Sequence, residues 1–274
     1  ANAPIPFSSS VYLAAEVLKQ SDSADQKKKY LPPIASGECK GCVAIEGEVS
    51  LSEGAVTGTL ENVIDGGLAD VAIVQTQDGL AVVSLADESV SREELSTIDP
   101  TRNLANITFN NTPAETLDIA DSTAALDRAI NHAAILIAFE QIGGAQRALE
   151  MGCDYAKERY AFGRAIGSFQ AIKHMLANMY VELELARSNC YYAAWAISTD
   201  APELPEAAAT ARVSATKAFQ LCAKNNIQTH GGMGFTWEAD CHLYYRRSNW
   251  LAVSLGNQGT WKDKLAEIIT TSVA

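Results

Sequence analysis

From residue 122 onward, apolar positions recur at helical steps. Leu126, Ile130, Ala134, Ile137, Ile142, Ala145, Leu149 and Cys153 follow one another at intervals of three to five. That spacing predicts one helix of about nine turns, which Asp121-Ser122 can cap. Gly143-Gly144 inside it weakens helix propensity, so a close helix crossing is the expected compensation. A second helix is expected from about 168 to 198, with Phe169, Ile172, Leu176, Met179, Leu183, Ala186, Cys190 and Ile197 on one face. After the break at APELPE, Pro205 suits the first turn of a third helix running to about Gln228. A fourth, about 237–252, ends before Gly256, and Thr260 can start a last one. This half reads as an up-down helical bundle.

The first third has a different rhythm. In SSSVYLAAEVLKQ, Val11, Ala14, Ala15 and Leu18 share a helical face behind serines able to cap it. A second short helix is expected over about 23–31, stopped by Pro32-Pro33. From about 39 to 117 the period falls to two, in CVAIE, AVTGTL, DVAIVQT, LAVVSL and NITFN. Gln77-Asp78-Gly79 between two such runs predicts a hairpin. The expected class is α+β in three parts: the end of a helical domain (1–38), a small β domain (39–119) and the bundle (120–274).

Composition narrows the function classes. A chain of 274 residues that is 47% hydrophobic can bury a large core. Its net charge of −12 argues against nucleic acid or an anionic membrane surface as partner. No apolar run reaches the roughly 18 residues of a membrane span, and ANAPIPFSSS lacks the pattern of a signal peptide, so a cytoplasmic protein is expected. Cys39 and Cys42 form a CxxC without a second pair or a nearby histidine. His132, His174, His230 and His242 show no metal-ligand spacing, and no metal site is expected.

The most specific chemistry lies between Arg159 and Arg187. Its turn offers a guanidinium at Arg159, an aromatic face at Phe162, a glycine at Gly163 and an amide at Gln170, a set suited to a ligand carrying phosphates and a flat ring. The same residues also serve as a helix-terminal cation, a core aromatic and a C-cap, and spacing alone leaves both readings open. Further on, Gly231, Gly232 and Gly234 in QTHGGMGF allow a ligand or another chain to approach the backbone closely.

ERYAFGRAIGSFQAIKHMLANMYVELELAR followed by QTHGGMGF resembles the acyl-CoA dehydrogenase family, FAD-dependent enzymes that oxidise acyl-CoA thioesters to trans-2-enoyl-CoA. PIPFSSSVYLAAEVL, DQKKKYLPPIASGE and LADVAIV extend the likeness toward the start. The resemblance implies a helical domain, a β domain and a C-terminal bundle, with this chain beginning partway through the first. It also implies that FAD lies at a dimer interface, its ADP half held by the neighbouring subunit. The positions matching that role are Arg159, Phe162, Gln170, Gln228, Gly231 and Gly232.

The departures from the family are as informative. The resemblance places the glutamate base either at Gly256 or Gln258, or on the long helix at Ala133 or Ala134, and none of these is a carboxylate. The arginine that many relatives place near the CoA phosphates also falls at Ala134. The flavin-facing stretch of the β domain is reduced to IEGEVSL. Glu140 lies about two turns from the helical base position, about 11 Å along the axis, and a structural or interface role is expected for it. No catalytic residue is assigned. The resemblance thus implies a non-catalytic subunit of a heteromeric α2β2 acyl-CoA dehydrogenase, of the kind that shortens fatty acyl or steroid side chains, with electron-transfer flavoprotein as acceptor. A self-sufficient homo-oligomeric dehydrogenase and a ligand-free structural or regulatory homologue are the alternatives.

Overall fold

The computed structural model describes residues 3–45 and 47–273, the side chains of 272 and 273 excepted. Residues 4–133 form one compact unit; residues 134 onward, with Ala3, form another.

The first unit opens on a π-helix, Ser8–Ala14, continued by α1 (Ala15–Lys19). The serines expected to cap this helix lie inside it. Ser9 Oγ donates to Asp65 Oδ2 (2.7 Å), Ser8 Oγ accepts from Arg102 Nη2 (2.6 Å), and Ser10 Oγ accepts from the Gly41 amide (2.6 Å). Arg102 and Asp65 are themselves a fully buried pair at 2.9 Å, so the hydroxyls complete the hydrogen bonding that two buried charges need. Helix α2 (Ala24–Ser36) is capped by Ser23 and runs through Pro32 and Pro33, ending at Gly37 in the left-handed region. The prolines therefore do not stop it. Proline's fixed φ is a helical value, so the chain can continue for one more turn at the expense of the missing N–H bonds.

Seven strands follow, in the order β1-β4-β5-β7-β3-β2, with β6 also on β7. They are β1 (Gly41–Ala44), β2 (Glu48–Ser52), β3 (Ala55–Ile64), β4 (Val71–Thr76), β5 (Gly79–Ser84), β6 (Val90–Glu94) and β7 (Leu104–Thr116). Among the described residues only β1 and β4 pair in parallel. The predicted hairpin joins β4 to β5, Thr76 opposite Gly79, whose φ of 125° favours glycine. Leu104–Pro113 of β7 lies against β3, and its last residues cross to β5. That crossing closes the sheet over a core containing Val56, Leu60, Val74, Val83, Ile107 and Phe109.

The bundle is built from α3 (Ser122–Glu158), α4 (Gln170–Ser198), α5 (Leu204–His230), α6 (Cys241–Val253) and α7 (Gln258–Val273). Helix α5 is central, packed by α4, α6 and α7. Its buried positions are mostly alanine, from Ala207 to Ala223, so neighbouring helices approach closely. A Cβ on Gly144 would stand 2.4 Å from the Phe219 ring of α5, whereas one on Gly143 would meet nothing within 4 Å. The expected close crossing belongs to Gly144 alone. Among the described residues no helix is long and apolar enough to cross a membrane.

Candidate functional site

Helix α3 ends at Glu158, and two short strands, β8 (Tyr160–Ala161) and β9 (Arg164–Ala165), form a ribbon that turns at Phe162-Gly163. Both turn residues have positive φ, 53° and 78°, as the primed hairpin turns require. Gly163 adopts this freely. For Phe162 it is a strained conformation, and its ring is 96% exposed. An aromatic held at such cost and turned away from the core has the character of a ligand contact. The rest of the ribbon supports it: the Phe162 and Phe169 rings meet edge to face at 6.3 Å, and the Arg164 guanidinium lies 4.0 Å over Phe169. Phe162 is thus neither core nor cap.

Helix α5 ends at His230, and Gly231 follows with φ 58° and ψ −136°, a combination essentially confined to glycine. A Cβ on Gly231 or Gly232 would meet nothing within 4 Å, so internal packing does not require glycine at either place. Gly234 differs, because a Cβ there would stand 2.6 Å from the Ile227 carbonyl. The open backbone is therefore at Gly231-Gly232, and packing accounts for Gly234.

The two motifs come together through a contact absent from the sequence pattern. Tyr155, one turn before Arg159, stacks on His230 with ring centroids 4.2 Å apart and planes at 25°. His230 Nδ1 donates to the Asn226 carbonyl at 2.9 Å, which fixes the imidazole for the stack. Around this joint Arg159, Gln170 and Gln228 are exposed. Their side chains make no hydrogen bond or ion pair with other described residues. Tyr155 precedes Arg159 by one turn and His230 adjoins Gly231, so the stack joins the end of α3 to the start of the glycine loop.

The positions where a base is expected have other uses. Ala133 and Ala134 are fully buried. Gly256 has φ 89° in the turn after α6, and Gln258 Nε2 donates to the Val213 carbonyl at 3.3 Å. Glu140 Oε1 accepts from Arg247 Nη1 at 2.7 Å, a structural ion pair with a fully buried guanidinium. The segment after α6 is held by Arg212, which is 1% exposed. Its Nη2 donates to the carbonyls of Leu251 and Ser254, and its Nη1 to Gln141 Oε1 (2.6 Å) and Thr216 Oγ1 (3.0 Å). Burial pushes its pKa down to about 10, which leaves it protonated at neutral pH.

In the first unit, Ile45 and Gly47–Ser50 of the shortened IEGEVSL stretch line an open cleft of about 590 Å³ with Thr57 and Gln75–Gln77; Glu46 lies outside the described residues. Its described side chains include one carboxylate, Glu48, and no cation. Cys42 of the CxxC is buried in the sheet, and burial pushes its thiol up to about 12.

His132 pairs with Glu16, which lies 116 residues away, Nδ1 to Oε2 at 2.8 Å, while its buried Nε2 has no partner. Burial acts to raise the Glu16 pKa, but hydrogen bonds from His132 and Lys19 together hold it below its ordinary 4.5. A carboxylate with a depressed folded pKa stabilises the fold above its unfolded pKa and loses that effect as pH falls through the folded value. Glu16→Gln is accordingly expected to flatten the acid side of the stability profile below about pH 5. Urea midpoints measured against pH test this; a parallel acid limb in the variant would refute it.

Comparison with known proteins shows the family. The family model described as acyl-CoA dehydrogenase, C-terminal domain, matches residues 123–270. The chain is 40% identical over 205 residues to the acyl-CoA dehydrogenase IpdE2 of Mycobacterium tuberculosis, covering 73% of this chain and 58% of that protein. It is 37% identical over 212 residues to IpdE2 of Mycolicibacterium smegmatis, covering 75% and 62%. The chain thus spans about six-tenths of the length of these curated relatives. In fold it is similar to the ChsE4-ChsE5 complex from Mycobacterium tuberculosis, with a TM-score of 0.88 and 24% identity, covering 98% of this chain and 76% of that one. The matched region takes in the ribbon of Arg159 and the glycine loop, and by that match the chain belongs to the acyl-CoA dehydrogenase family, whose members use FAD.

Proposed function

We propose that the chain is a subunit of a heteromeric acyl-CoA dehydrogenase that holds the ADP half of a FAD, while a partner chain supplies the base, the acyl pocket and the face for the flavin. The observation that carries this reading is an asymmetry. Arg159, Gln170 and Gln228 are exposed and make no side-chain hydrogen bond with other described residues, and Phe162 is 96% exposed, whereas every position matched to the family's base holds an alanine, a glycine or an amide.

In this reading Arg159 offsets diphosphate charge with charge-assisted hydrogen bonds. Phe162 offers a face to the adenine, Gln170 and Gln228 hydrogen-bond to the nucleotide, and the bare backbone at Gly231-Gly232 lets it approach. Bound FAD would supply the acceptor for the hydride removed from the acyl-CoA thioester. The cleft beside Glu48, lined by a carboxylate and no cation, suits the assignment of the flavin face to the partner. The three-part division at about 38 and 119 belongs to the same proposal. The substrate class is an acyl-CoA of fatty acid or steroid side-chain breakdown, with electron-transfer flavoprotein as electron acceptor. The relative named as the ChsE4-ChsE5 complex joins two different chains, which supports a mixed assembly here.

Arg159→Ala in the complex co-expressed with its partner dehydrogenase tests the reading. Loss of a charge-assisted bond, about 1.5–3 kcal/mol, is expected to weaken FAD binding about tenfold or more. The ratio of flavin to protein absorbance should fall while the melting temperature of the chain does not. Unchanged FAD content would overturn the assignment, and a yellow chain purified alone would favour a self-sufficient enzyme.

A further inference from the structure

His230 is gripped from three directions. Its ring stacks on Tyr155, and its Nδ1 donates to the Asn226 carbonyl at 2.9 Å. At Gly234 the glycine loop comes back to α5, so closely that an added Cβ would stand 3.1 Å from the His230 Cβ. The loop therefore leaves α5 beside His230, through Gly231, and returns against the same residue. A displacement of His230 moves both ends of the loop.

The ribbon is seated on the same part of α3. The Arg159 amide donates to the Tyr155 carbonyl at 2.8 Å, and the Ile166 amide closes the ribbon on the Arg159 carbonyl at 2.8 Å. Where the ribbon ends, a Cβ on Gly167 would stand 2.9 Å from the Ala156 carbonyl. Ala156 is 2% exposed, so this seat belongs to the core. Tyr155 and Ala156 thus form one pedestal. The ribbon rests on their backbone, and the glycine loop rests on the Tyr155 ring through His230. A stacked pair holds its rings at a preferred separation and tilt, here 4.2 Å and 25°.

We infer that Tyr155 is a positioning residue for FAD: its ring, through His230, sets the spacing between the Arg159 ribbon and the open backbone at Gly231-Gly232. The inference rests on the reading that these two segments hold the ADP half of FAD. Neither ring belongs to the set matched to the cofactor, which is Arg159, Phe162, Gln170, Gln228, Gly231 and Gly232. Tyr155 acts on that set without touching the nucleotide. A diphosphate has a fixed length, so groups that grip it from the ends of two helices serve at one spacing only, and supporting contacts must hold that spacing. The Tyr155 hydroxyl takes no part in the stack, and phenylalanine should serve as well.

Titration of FAD into the flavin-stripped complex with the partner dehydrogenase, read by flavin fluorescence, tests this. Tyr155→Leu keeps an apolar side chain without the ring and is expected to weaken FAD binding about three- to tenfold, the scale of one lost aromatic pair. Tyr155→Phe keeps the ring and should stay within about twofold of the unsubstituted complex. His230→Leu removes the other ring and should match Tyr155→Leu, so either variant carries the test if the other does not assemble. The double variant should bind FAD no more weakly than the weaker single one, because both act through one contact. A role in the fold alone would lower the melting midpoint and leave the FAD affinity of the assembled complex unchanged. That result overturns the inference, as do a Tyr155→Phe complex as weak as Tyr155→Leu and losses that multiply in the double variant. Arg159→Ala separates the two levels. If it weakens FAD binding and Tyr155→Leu does not, only the positioning role falls; if neither weakens it, the FAD reading falls as well.

Discussion

Arg212→Met is expected to lower stability by about 3 kcal/mol, because a buried acceptor left without a donor costs about 1–3 kcal/mol and several are orphaned together. Methionine restores most of the volume. It cannot donate to the carbonyls of Leu251 and Ser254 or to Gln141 Oε1, which Arg212 serves together. Part of the loss is offset, since the guanidinium is itself held at a cost that its pKa of about 10 records. For a protein of this size the thermal midpoint should fall by roughly 6 to 12 °C. Arg212→Lys should recover little, because a single ammonium cannot reach acceptors that a planar fork spans. The local signature is in the turn after α6. Leu255 adopts φ 55° there, and its carbonyl accepts from Trp261 Nε1 at 2.9 Å. Amide exchange around Ser254–Gly256 should quicken more than in α4. A midpoint unchanged within a degree would mean that water satisfies these carbonyls and that Arg212 does not hold the turn.

Two adjacent glycines should give opposite results. Gly144→Ala is expected to destabilise by about 2 kcal/mol, the usual scale of overpacking, since the new methyl would sit 2.4 Å from the Phe219 ring. Phe219 is 1% exposed and cannot swing into solvent. Gly143→Ala meets nothing within 4 Å and should stabilise by about 0.5–1 kcal/mol through helix propensity. Adding Phe219→Leu to Gly144→Ala should recover part of the loss, since contacting residues couple in a double-mutant cycle. Denaturant midpoints measure these three variants and Phe219→Leu alone, which completes the cycle. Equal effects at 143 and 144 would mean that propensity alone governs this helix and that α3 and α5 can separate freely at the crossing.

These variants probe packing, and the proposed FAD surface is probed by Arg159→Ala, whose side chain is exposed and contributes nothing to the core. The two kinds of effect should therefore separate cleanly: midpoint without flavin in one set, flavin without midpoint in the other. A partner subunit that failed to bind would confuse them, which is why FAD content is read on a complex whose composition is checked.

Much was legible along the chain because it depends on neighbours in sequence. Helical steps and strand alternation are local, so the long helix after Asp121, the helices of the bundle and the Asp78-Gly79 hairpin lie close to where the pattern puts them. The ribbon of Arg159 and the loop of Gly231 were recognisable as motifs because each is a short run of unusual residue types. Two local expectations failed for tertiary reasons. Pro32-Pro33 did not end α2, and Ser8–Ser10 did not cap a helix, because their hydroxyls serve a buried ion pair and a strand amide.

What only the tertiary structure decided is which distant groups meet. Periodicity tells that a face is buried and is silent about its partner. His132 with Glu16, Glu140 with Arg247 and Arg212 with Gln141 join residues 116, 107 and 71 positions apart, and each gives a structural use to a charge that could have been catalytic. The Tyr155–His230 stack, which joins the end of α3 to the end of α5, is not announced by the spacing of either motif. The same holds for α4. Its sequence shows apolar residues on more than one face, and only packing against α5 assigns which face is inside.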